Sequence, residues 1–326
     1  MTPTLAEMQG KFEHALSLYC ATLPNTSLYE PIRYILSLGG KRIRPVLVMI
    51  AADAYQADET CTIRAALAVE IFHNFSLVHD DIMDAAPLRR GKATVHARWN
   101  ENLAILSGDA MLIEAYKQLA GINAQWLKPA LDLFNKTSSE VCEGQQLDME
   151  FEKVAEVSVA GYTEMIGLKT AVLLGCSLKM GAMLGGASTL DADALYQFGK
   201  LTGVGFQIQD DYLDAFGNPD QFGKQVGGDI LANKKTFLVA KAMEVMQPSD
   251  RKELQRLMSQ EPRFDPTVKI REVTAHFRRN GIDEAALLAI ESYFMQAEEL
   301  LRSLELSEGQ KEPFRAFARQ LMVRKA

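Results

Sequence analysis

The chain has 326 residues, of which 48% are hydrophobic, so it is long enough to bury a large core. Its formal net charge of -7 argues against a nucleic-acid-binding surface spread over the whole molecule. The N-terminus lacks the apolar run of a secretory signal, and no apolar stretch is long enough to predict a membrane span. We therefore expect a cytoplasmic protein with no membrane span and no nucleic-acid partner.

The predicted elements are helices along the whole chain. Apolar residues recur at helical spacing, for example at Ile63, Leu67 and Ile71, whereas the alternation typical of strands is never sustained. Glycine and proline interrupt this pattern at 38–40, 86–87 and 185–186 and across 216–235. The sequence therefore predicts an all-α fold with residues 1–326 as a single domain.

Four cysteines are scattered along this helical pattern without any C-x-x-C pair: Cys20, Cys61, Cys142 and Cys176. Isolated cysteines within apolar helical patterns are typical of reduced thiols in a core. The sequence therefore predicts four core thiols and no zinc site.

The first polar motif is a glycine turn followed by basic residues at 39–45. Lys41 and Arg44 lie beside this turn, and Pro45 suits the first turn of the next helix. Each basic residue taken alone would be an ordinary exposed side chain.

An acidic cluster, His79-Asp80-Asp81-Ile82-Met83-Asp84, ends the first long helical pattern. Helical residues four apart differ by about 40° in azimuth, so Asp80 and Asp84 share one face, with Asp81 nearby. Like charges about 4 Å apart repel by roughly 4 kcal/mol at an effective dielectric of about 20, so this face favours a bound cation. His73, seven residues before Asp80, lies on nearly the same stripe and can donate to a phosphate, although a half-buried histidine is equally ordinary.

A second acidic cluster occupies another helical pattern, with Gln207, Asp210, Asp211 and Asp214 at positions i, i+3, i+4 and i+7. Oxygen ligands without His or Cys suit a hard cation such as Mg²⁺, which keeps waters and bridges to phosphate. One D-D-x-x-D run alone would be interpreted as a solvated acidic helix face. Two such runs in apolar surroundings instead predict a bound partner.

Basic residues accompany both acidic clusters. They are Arg89, Arg90, Lys169 with its neighbour Thr170, Lys224 and Lys234. Carboxylates that hold Mg²⁺ and cations that hold phosphate oxygens are the two halves of a diphosphate site. The sequence therefore predicts a substrate with several negative charges.

Together these motifs resemble the trans-type polyprenyl synthases, which include farnesyl and geranylgeranyl diphosphate synthases. The motifs occur in the family's order over about residues 39–236, with further matches at 108–109 and 144–148. The resemblance implies an isoprenoid synthase-like helical bundle around a central cavity, in which two acidic helix stripes face each other. It also implies a homodimer that condenses isopentenyl diphosphate with dimethylallyl, geranyl or farnesyl diphosphate.

The resemblance also assigns roles by motif. Metal binding falls to Asp80, Asp84 and Asp210, with Asp81, Asp211 and Asp214 in support, for about three Mg²⁺ or Mn²⁺ ions with substrate bound. The allylic diphosphate site would be Arg89, Lys169, Lys224 and Lys234, the isopentenyl diphosphate site Lys41, Arg44, His73 and Arg90, and Thr170 and Gln207 would lie beside the reacting carbons. The chain departs from the family at Asn233-Lys234-Lys235, where Gly-Lys is commoner, so Lys235 is an alternative to Lys234.

The resemblance also implies that the growing chain lies in a tunnel along the helix before Asp80, with Phe75 or Phe72 as the tunnel floor that sets product length. At 1.5 Å per residue, Phe75 and Phe72 lie about 7.5 and 12 Å upstream of Asp80, whereas helical azimuth puts Ser76 directly below it. Both phenylalanines can equally be core residues. An uninterrupted D-D-x-x-D with a single aromatic five residues back is similar to geranylgeranyl synthases, which favours a C20 product over C15.

Three alternatives remain. A class I terpene cyclase shares the first aspartate motif, but its second motif mixes Asn or Asp with Ser and Glu. An HD-type phosphohydrolase would use His73 with His79-Asp80, yet it leaves the second cluster unexplained. A non-catalytic helical subunit of a prenyltransferase is the third, and intact motifs argue against it.

Overall fold

The structure is a computed structural model that describes residues 4–217, 226–259 and 264–322. Its helices are α1 (Leu5–Thr22), α2 (Glu30–Ser37), α3 (Ile43–Ala54), α4 (Glu59–Met83), α5 (Val95–Arg98), α6 (Glu101–Ala120), α7 (Ala124–Phe151), α8 (Val159–Ile166), α9 (Val172–Leu184), α10 (Thr189–Phe216), α11 (Gly228–Leu231), α12 (Phe237–Val245), α13 (Pro248–Leu257), α14 (Pro266–Arg279), α15 (Ile282–Ser303) and α16 (Glu308–Met322). A π-helical turn, Gly167–Ala171, joins α8 to α9. These elements confirm the all-α prediction.

The only strands in the described residues form a small antiparallel hairpin. Strand β1 (Leu88–Arg89) pairs with β2 (Lys92–Ala93) through the turn at Arg90 and Gly91, both of which have positive φ. Two-residue strands are too short for a sequence pattern to detect. The hairpin places Arg89 and Arg90, two of the predicted diphosphate ligands, directly after α4.

The helix boundaries follow the predicted punctuation. Helix α2 ends just before the 38–40 glycine turn, α9 ends just before Gly185, and α10 ends where the 216–235 segment begins. The starts are fixed by side-chain caps: Asp58 accepts from the amide of Cys61 to begin α4, and Thr236 accepts from Val239 to begin α12.

The first of two compact units contains Met1–Thr137, Leu173–Tyr196 and Leu304–Phe314. Within it, α4 packs along α6 and α3, and Phe12, Leu47 and Phe72 are fully buried. Helices α9 and α3 approach each other closely at Gly181. A Cβ at Gly181 would lie 2.1 Å from the carbonyl oxygen of Val48, so only glycine fits there.

The second unit contains Ser138–Val172, Gln197–Ser303 and Arg315–Ala326. Within it, α12 packs against α8 and α15, and α14 packs against α11, α13 and α15. Its core includes Phe237, Phe277 and Phe294. The single domain over residues 1–326 stays a prediction.

A buried ionic network fixes the turn before α3. Arg42 has a φ of 47° and its side chain is only 1% exposed. Its guanidinium donates to Glu13 and Glu70, each at 2.7 Å, and to the carbonyl of Leu36 at 2.6 Å. Because Arg42 points inward, the exposed Lys41 beside it points away from the core.

The cysteine prediction is correct in part. All four cysteines are free thiols, and Cys61 and Cys176 are buried. Cys20 is half-buried, but Cys142 is exposed on α7, so the prediction of a core thiol there is wrong. An amphipathic helix carries apolar and exposed faces alike, and composition alone does not assign a small residue to either.

Two helical stretches have the length and mean hydropathy of a membrane span, Glu59–Met83 and Val159–Leu184. Within them, 67% and 78% of the apolar windows are buried inside the protein. Core helices pass the same test, so this finding is weak evidence for a membrane span.

The Arg42 network yields a stability prediction. Arg42→Met removes the cation and leaves the Glu70 carboxylate buried without it, which should lower the free energy of unfolding by about 3–5 kcal/mol. Arg256→Met, which breaks the exposed pair with Glu253, should cost at most about 1 kcal/mol. Denaturant unfolding compares the two, and equal losses would contradict a structural role for the network.

Candidate active site

The first acidic motif turns its second carboxylate inward. Asp81 is 1% exposed, and its two carboxylate oxygens accept from Nε of Arg89 at 2.9 and 2.8 Å. The side chain of Asp80 is 20% exposed and lies 3.5 Å from the same guanidinium, while Asp84 is exposed at the end of α4. Asp81 therefore holds Arg89, and Asp80 and Asp84 form the outer face of the motif.

Three residues of the predicted isopentenyl diphosphate site meet within the first unit. Arg44 lies 3.1 Å from Nε2 of His73, and Arg90 donates to the carbonyl of Gly39. Because arginine only donates, Nε2 of His73 must accept and the imidazole carries its proton on Nδ1. Burial, reinforced by Arg44 and Arg90, lowers the pKa of His73 well below its usual value.

Arg44 itself is poorly compensated. Its Nε is buried without a hydrogen-bond partner, and burial lowers the pKa of the guanidinium to about 10. Close packing matters here too, because a Cβ on Gly40 would lie 3.0 Å from the Arg90 guanidinium. This group of cations, with the exposed Lys41 nearby in sequence, has the electrostatics of an anion site.

The second acidic motif opens on a cavity of about 400 Å³ within the second unit. Its lining is Asp148, Tyr162, Met165, Ile166, Lys169, Thr170, Gln207, Asp210, Asp211, Asp214, Gly228, Asp229, Lys234, Lys235 and Thr236. The site residues that the sequence predicts from Lys169 onward all line this cavity, except Lys224, which lies outside the described residues. Carboxylates and ammonium groups therefore share one concave surface.

Asp211 repeats the arrangement of Asp81. It is 5% exposed and accepts from the hydroxyl of Tyr162 at 2.5 Å and the amide of Phe237 at 2.8 Å. Burial raises the pKa of Asp211 to about 7, although Tyr162 and Phe237 act to lower it. Gln207, at 3.5 Å, lies at the edge of this network.

Lys169 and Thr170 lie on the π-helical turn rather than on a regular helix. Such turns change the direction of side chains along a helix and are frequent at functional sites. The turn lies so close to α7 that a Cβ on Gly144 would be 2.2 Å from the Lys169 backbone nitrogen. Asp148, one turn further along α7, accepts from Nζ of Lys169 at 2.6 Å.

The segment that follows the undescribed residues 218–225 is fixed to the acidic motif. The amide of Gly227 donates to the Asp214 carbonyl at 2.6 Å, and that of Asp229 donates to the Asp214 carboxylate at 3.0 Å. Lys234 and Lys235 both line the cavity, with Nζ of Lys234 3.9 Å from Asp229. The sequence alternative between the two lysines therefore stays open.

Sequence reasoning assigned no role to three titratable residues of this cavity: Asp148, Tyr162 and Asp229. Asp229 offered a signal, because it is an acidic residue directly after Gly227-Gly228 in the glycine-rich segment. Tyr162 offered none, because its pairing with Asp211 spans 49 residues of sequence.

The predicted chain-length residues differ in burial. Phe72 is 1% exposed and packs edge to face against Phe134, with ring centroids 5.2 Å apart. Phe75 is half-buried and its ring lies 4.7 Å from that of His79. Ser76 donates its hydroxyl to the carbonyl of His73 at 2.8 Å. Phe72 is therefore a core residue, and Phe75 is the aromatic ring nearer the acidic motif.

Within the described ranges, no three His, Cys, Asp or Glu side chains converge as a closed metal site. The donors at both motifs are carboxylate oxygens, which suit Mg²⁺ rather than a soft metal. An ion that takes its remaining ligands from water and phosphate needs only one or two carboxylates. The residues present therefore fit Mg²⁺.

Comparisons with known proteins agree with these motifs. A model of the polyprenyl synthetase family matches residues 25–274. Geranylgeranyl diphosphate synthase of Methanosarcina mazei is 40% identical over 243 residues, which are 73% of this chain and 75% of that protein. A crystal structure of a geranylgeranyl pyrophosphate synthase is 43% identical with a TM-score of 0.94, covering 99% of this chain and 100% of the other.

Another similar structure contains bound ligands. Geranylgeranyl pyrophosphate synthase from Corynebacterium glutamicum, complexed with isoprenyl diphosphate and magnesium, is 28% identical with a TM-score of 0.83 and covers 98% of each chain. These likenesses confirm the predicted helical fold and the resemblance stated from the motifs. The chain therefore belongs to the polyprenyl synthetase family.

Proposed function

We propose that this enzyme condenses isopentenyl diphosphate head to tail with dimethylallyl, geranyl or farnesyl diphosphate into a short-chain trans-prenyl diphosphate. A C20 product is favoured and C15 is next. The observation that carries the proposal is the cavity in which Asp210 and Asp214 meet Lys169, Lys234 and Lys235. The geranylgeranyl diphosphate synthases among its relatives support the C20 product.

Magnesium is the proposed metal, held by Asp80, Asp84 and Asp210, with Asp214 and the buried Asp81 and Asp211 in support. The oxygen-only donors favour it, as does the magnesium in the structure from Corynebacterium glutamicum. When bound, Mg²⁺ supplies charge neutralisation to the leaving diphosphate. About three ions per site, with Mn²⁺ as a substitute, stay a prediction.

The reaction needs no enzyme nucleophile. The allylic C–O bond breaks to give a carbocation and diphosphate, the double bond of isopentenyl diphosphate attacks the cation, and a proton then leaves for the released diphosphate. Negative charge therefore accumulates on the leaving group in the transition state. Fixed cations aimed at that charge lower the barrier without reorganising.

The proposed cations for the allylic diphosphate are Arg89, Lys169, Lys224 and Lys234, with Lys235 as the alternative to Lys234. Asp81 orients Arg89, and Asp148 orients Lys169. Lys41, Arg44, His73 and Arg90 are proposed to bind isopentenyl diphosphate. Thr170 and Gln207, both in the cavity lining, are proposed to lie beside the reacting carbons.

The homodimer is proposed from the family resemblance, whereas the cytoplasmic location is the expectation drawn from the amino-acid sequence. Helix α6 exposes Ile105, Leu106 and Ile113, and exposed apolar side chains on one helix are typical of an interface. We propose this stripe as the surface between two copies. Light scattering of the purified protein should give the mass of two chains, and a single-chain mass would contradict the dimer.

The metal-site assignment predicts loss of turnover. Asp80→Ala and Asp210→Ala should each lower kcat at least about 100-fold, because each removes charge stabilisation from the leaving diphosphate. The helical circular dichroism should not change. Incorporation of labelled isopentenyl diphosphate measures turnover.

Asp132→Ala, on an exposed part of α7, serves as the matched control and should retain full activity. Near-normal turnover in both Asp80→Ala and Asp210→Ala would refute the metal-site assignment. Persistent activity without any divalent cation would refute it as well.

The position of Phe75 predicts its effect on product length. Phe75→Ala should lengthen the product, because it removes the half-buried ring closest to the acidic motif. Phe72→Ala should instead lower stability by about 3–5 kcal/mol and leave the product unchanged, since Phe72 is fully buried. Chromatographic sizing of the prenyl products tests both, and an unchanged product from Phe75→Ala would remove Phe75 from the tunnel floor.

A further inference from the structure

Asn233 occupies a backbone conformation that glycine adopts without cost. Its φ is 56°, in the left-handed region. Asn233 directly precedes Lys234, at a position where the trans-type polyprenyl synthases more commonly have glycine. A left-handed residue with a side chain costs about 1–2 kcal/mol, and Asn lowers that cost by hydrogen bonding through its amide. The conformation of Asn233 therefore depends on what its side chain binds.

The partner of Asn233 is a buried lysine. Lys269 on α14 is 6% exposed and donates from Nζ to the Asn233 side-chain oxygen. Within residues 4–217, 226–259 and 264–322, no carboxylate pairs with this ammonium. Burial lowers the pKa of Lys269 below its usual value.

Burying this lysine lowers the stability of the fold. A desolvated ammonium with one amide oxygen as its partner costs stability, and an apolar side chain of similar length would fill the same space without that cost. The packing of α14 therefore does not explain why the residue is lysine. Its hydrogen bond to Asn233 does.

Helix α14 contacts both ends of the segment 227–233, which precedes the two cavity lysines. Ile270, next to Lys269, packs against Gly227 so closely that a Cβ there would lie 2.5 Å from the isoleucine side chain. Between these anchors, the amide of Asn233 donates to the Ile230 carbonyl at 3.2 Å and that of Lys234 to the Asp229 carbonyl at 2.9 Å. Asp214 holds the beginning of the same segment through the amides of Gly227 and Asp229.

We infer that Lys269 is a positioning residue for the diphosphate cavity: by binding Asn233, it keeps the left-handed backbone that directs Lys234 and Lys235 into the site. Lysine and asparagine together replace the glycine of the family. Without the hydrogen bond, Asn233 would relax toward a right-handed or extended conformation and turn the two following lysines away. The inference rests on the proposed function, because it takes the cavity as the allylic diphosphate site.

The test is a kinetic comparison of Lys269→Met with the unmodified protein. The KM for the allylic diphosphate should rise about tenfold, which corresponds to the loss of one hydrogen bond to a charged group. The KM for isopentenyl diphosphate should not change, because its proposed ligands lie elsewhere in the chain. A purely structural defect would lower the active fraction and move neither KM.

Replacing the asparagine should rescue the defect. In the double variant Lys269→Met with Asn233→Gly, glycine adopts the left-handed conformation unaided, and the allylic KM should return to within about threefold of the original. Lys252→Met, the same change at an exposed lysine of α13, should have no effect. An unchanged allylic KM in Lys269→Met, or a double variant as impaired as the single one, would overturn the inference.

A binding measurement separates this inference from the proposed function. Calorimetric titration with inorganic diphosphate and Mg²⁺ should show about tenfold weaker binding to Lys269→Met, and it needs no turnover. If the unmodified protein binds diphosphate but forms no prenyl product, the proposed function fails while this comparison stands. If Lys269→Met does not fold, Asn233→Ala removes the same hydrogen bond and should weaken diphosphate binding equally; equal affinity would refute the positioning role.

Discussion

Carboxylates crowded on one helix face repel each other, and this chain limits the repulsion in the same way at both acidic motifs. The second aspartate of each motif is buried and bound to its own donor: Asp81 to Arg89, and Asp211 to Tyr162 and the Phe237 amide. We propose that the first and last aspartates of each motif are the ones that bind the metal ions. Each buried carboxylate also fixes a neighbouring element, the β1–β2 hairpin in one case and the start of α12 in the other.

The cations, like the carboxylates, are held in place by neighbouring groups. Lys169 is brought to the cavity by a π-helical turn that fits against Gly144, and Asp148 orients its ammonium. Arg44 is buried beside His73, whose lowered pKa keeps the imidazole neutral, and we propose that the positive charge of Arg44 binds an incoming anion. Preformed groups of this kind need little reorganisation during the reaction, which is the basis of electrostatic catalysis.

Sequence reasoning reached the fold and the acidic motifs because both depend on local spacing. Helical periodicity gave the all-α class, and the i, i+4 relation gave the shared faces of the aspartates. Sequence reasoning could not tell the buried Asp81 from Asp80, because Asp81 is buried against Arg89. Arg89 lies on a hairpin of four paired residues, which is too short for a sequence pattern to predict. Nor could sequence reasoning find Tyr162 or Lys269, whose partners lie 49 and 36 residues away. Cys142 was misplaced because periodicity alone does not say which face of α7 is covered.

We propose above all that the outer carboxylates of each motif bind metal ions and that these ions hold diphosphate. Crystals grown with Mn²⁺ and a non-ionisable allylic diphosphate analogue test it directly, because Mn²⁺ is located by its anomalous scattering. We expect Mn²⁺ on Asp80 and Asp84 and on Asp210, with diphosphate oxygens bound to the ion on Asp210 and reached by Lys169. Ions bound away from these carboxylates, or an analogue whose diphosphate lies away from them, would contradict the proposal.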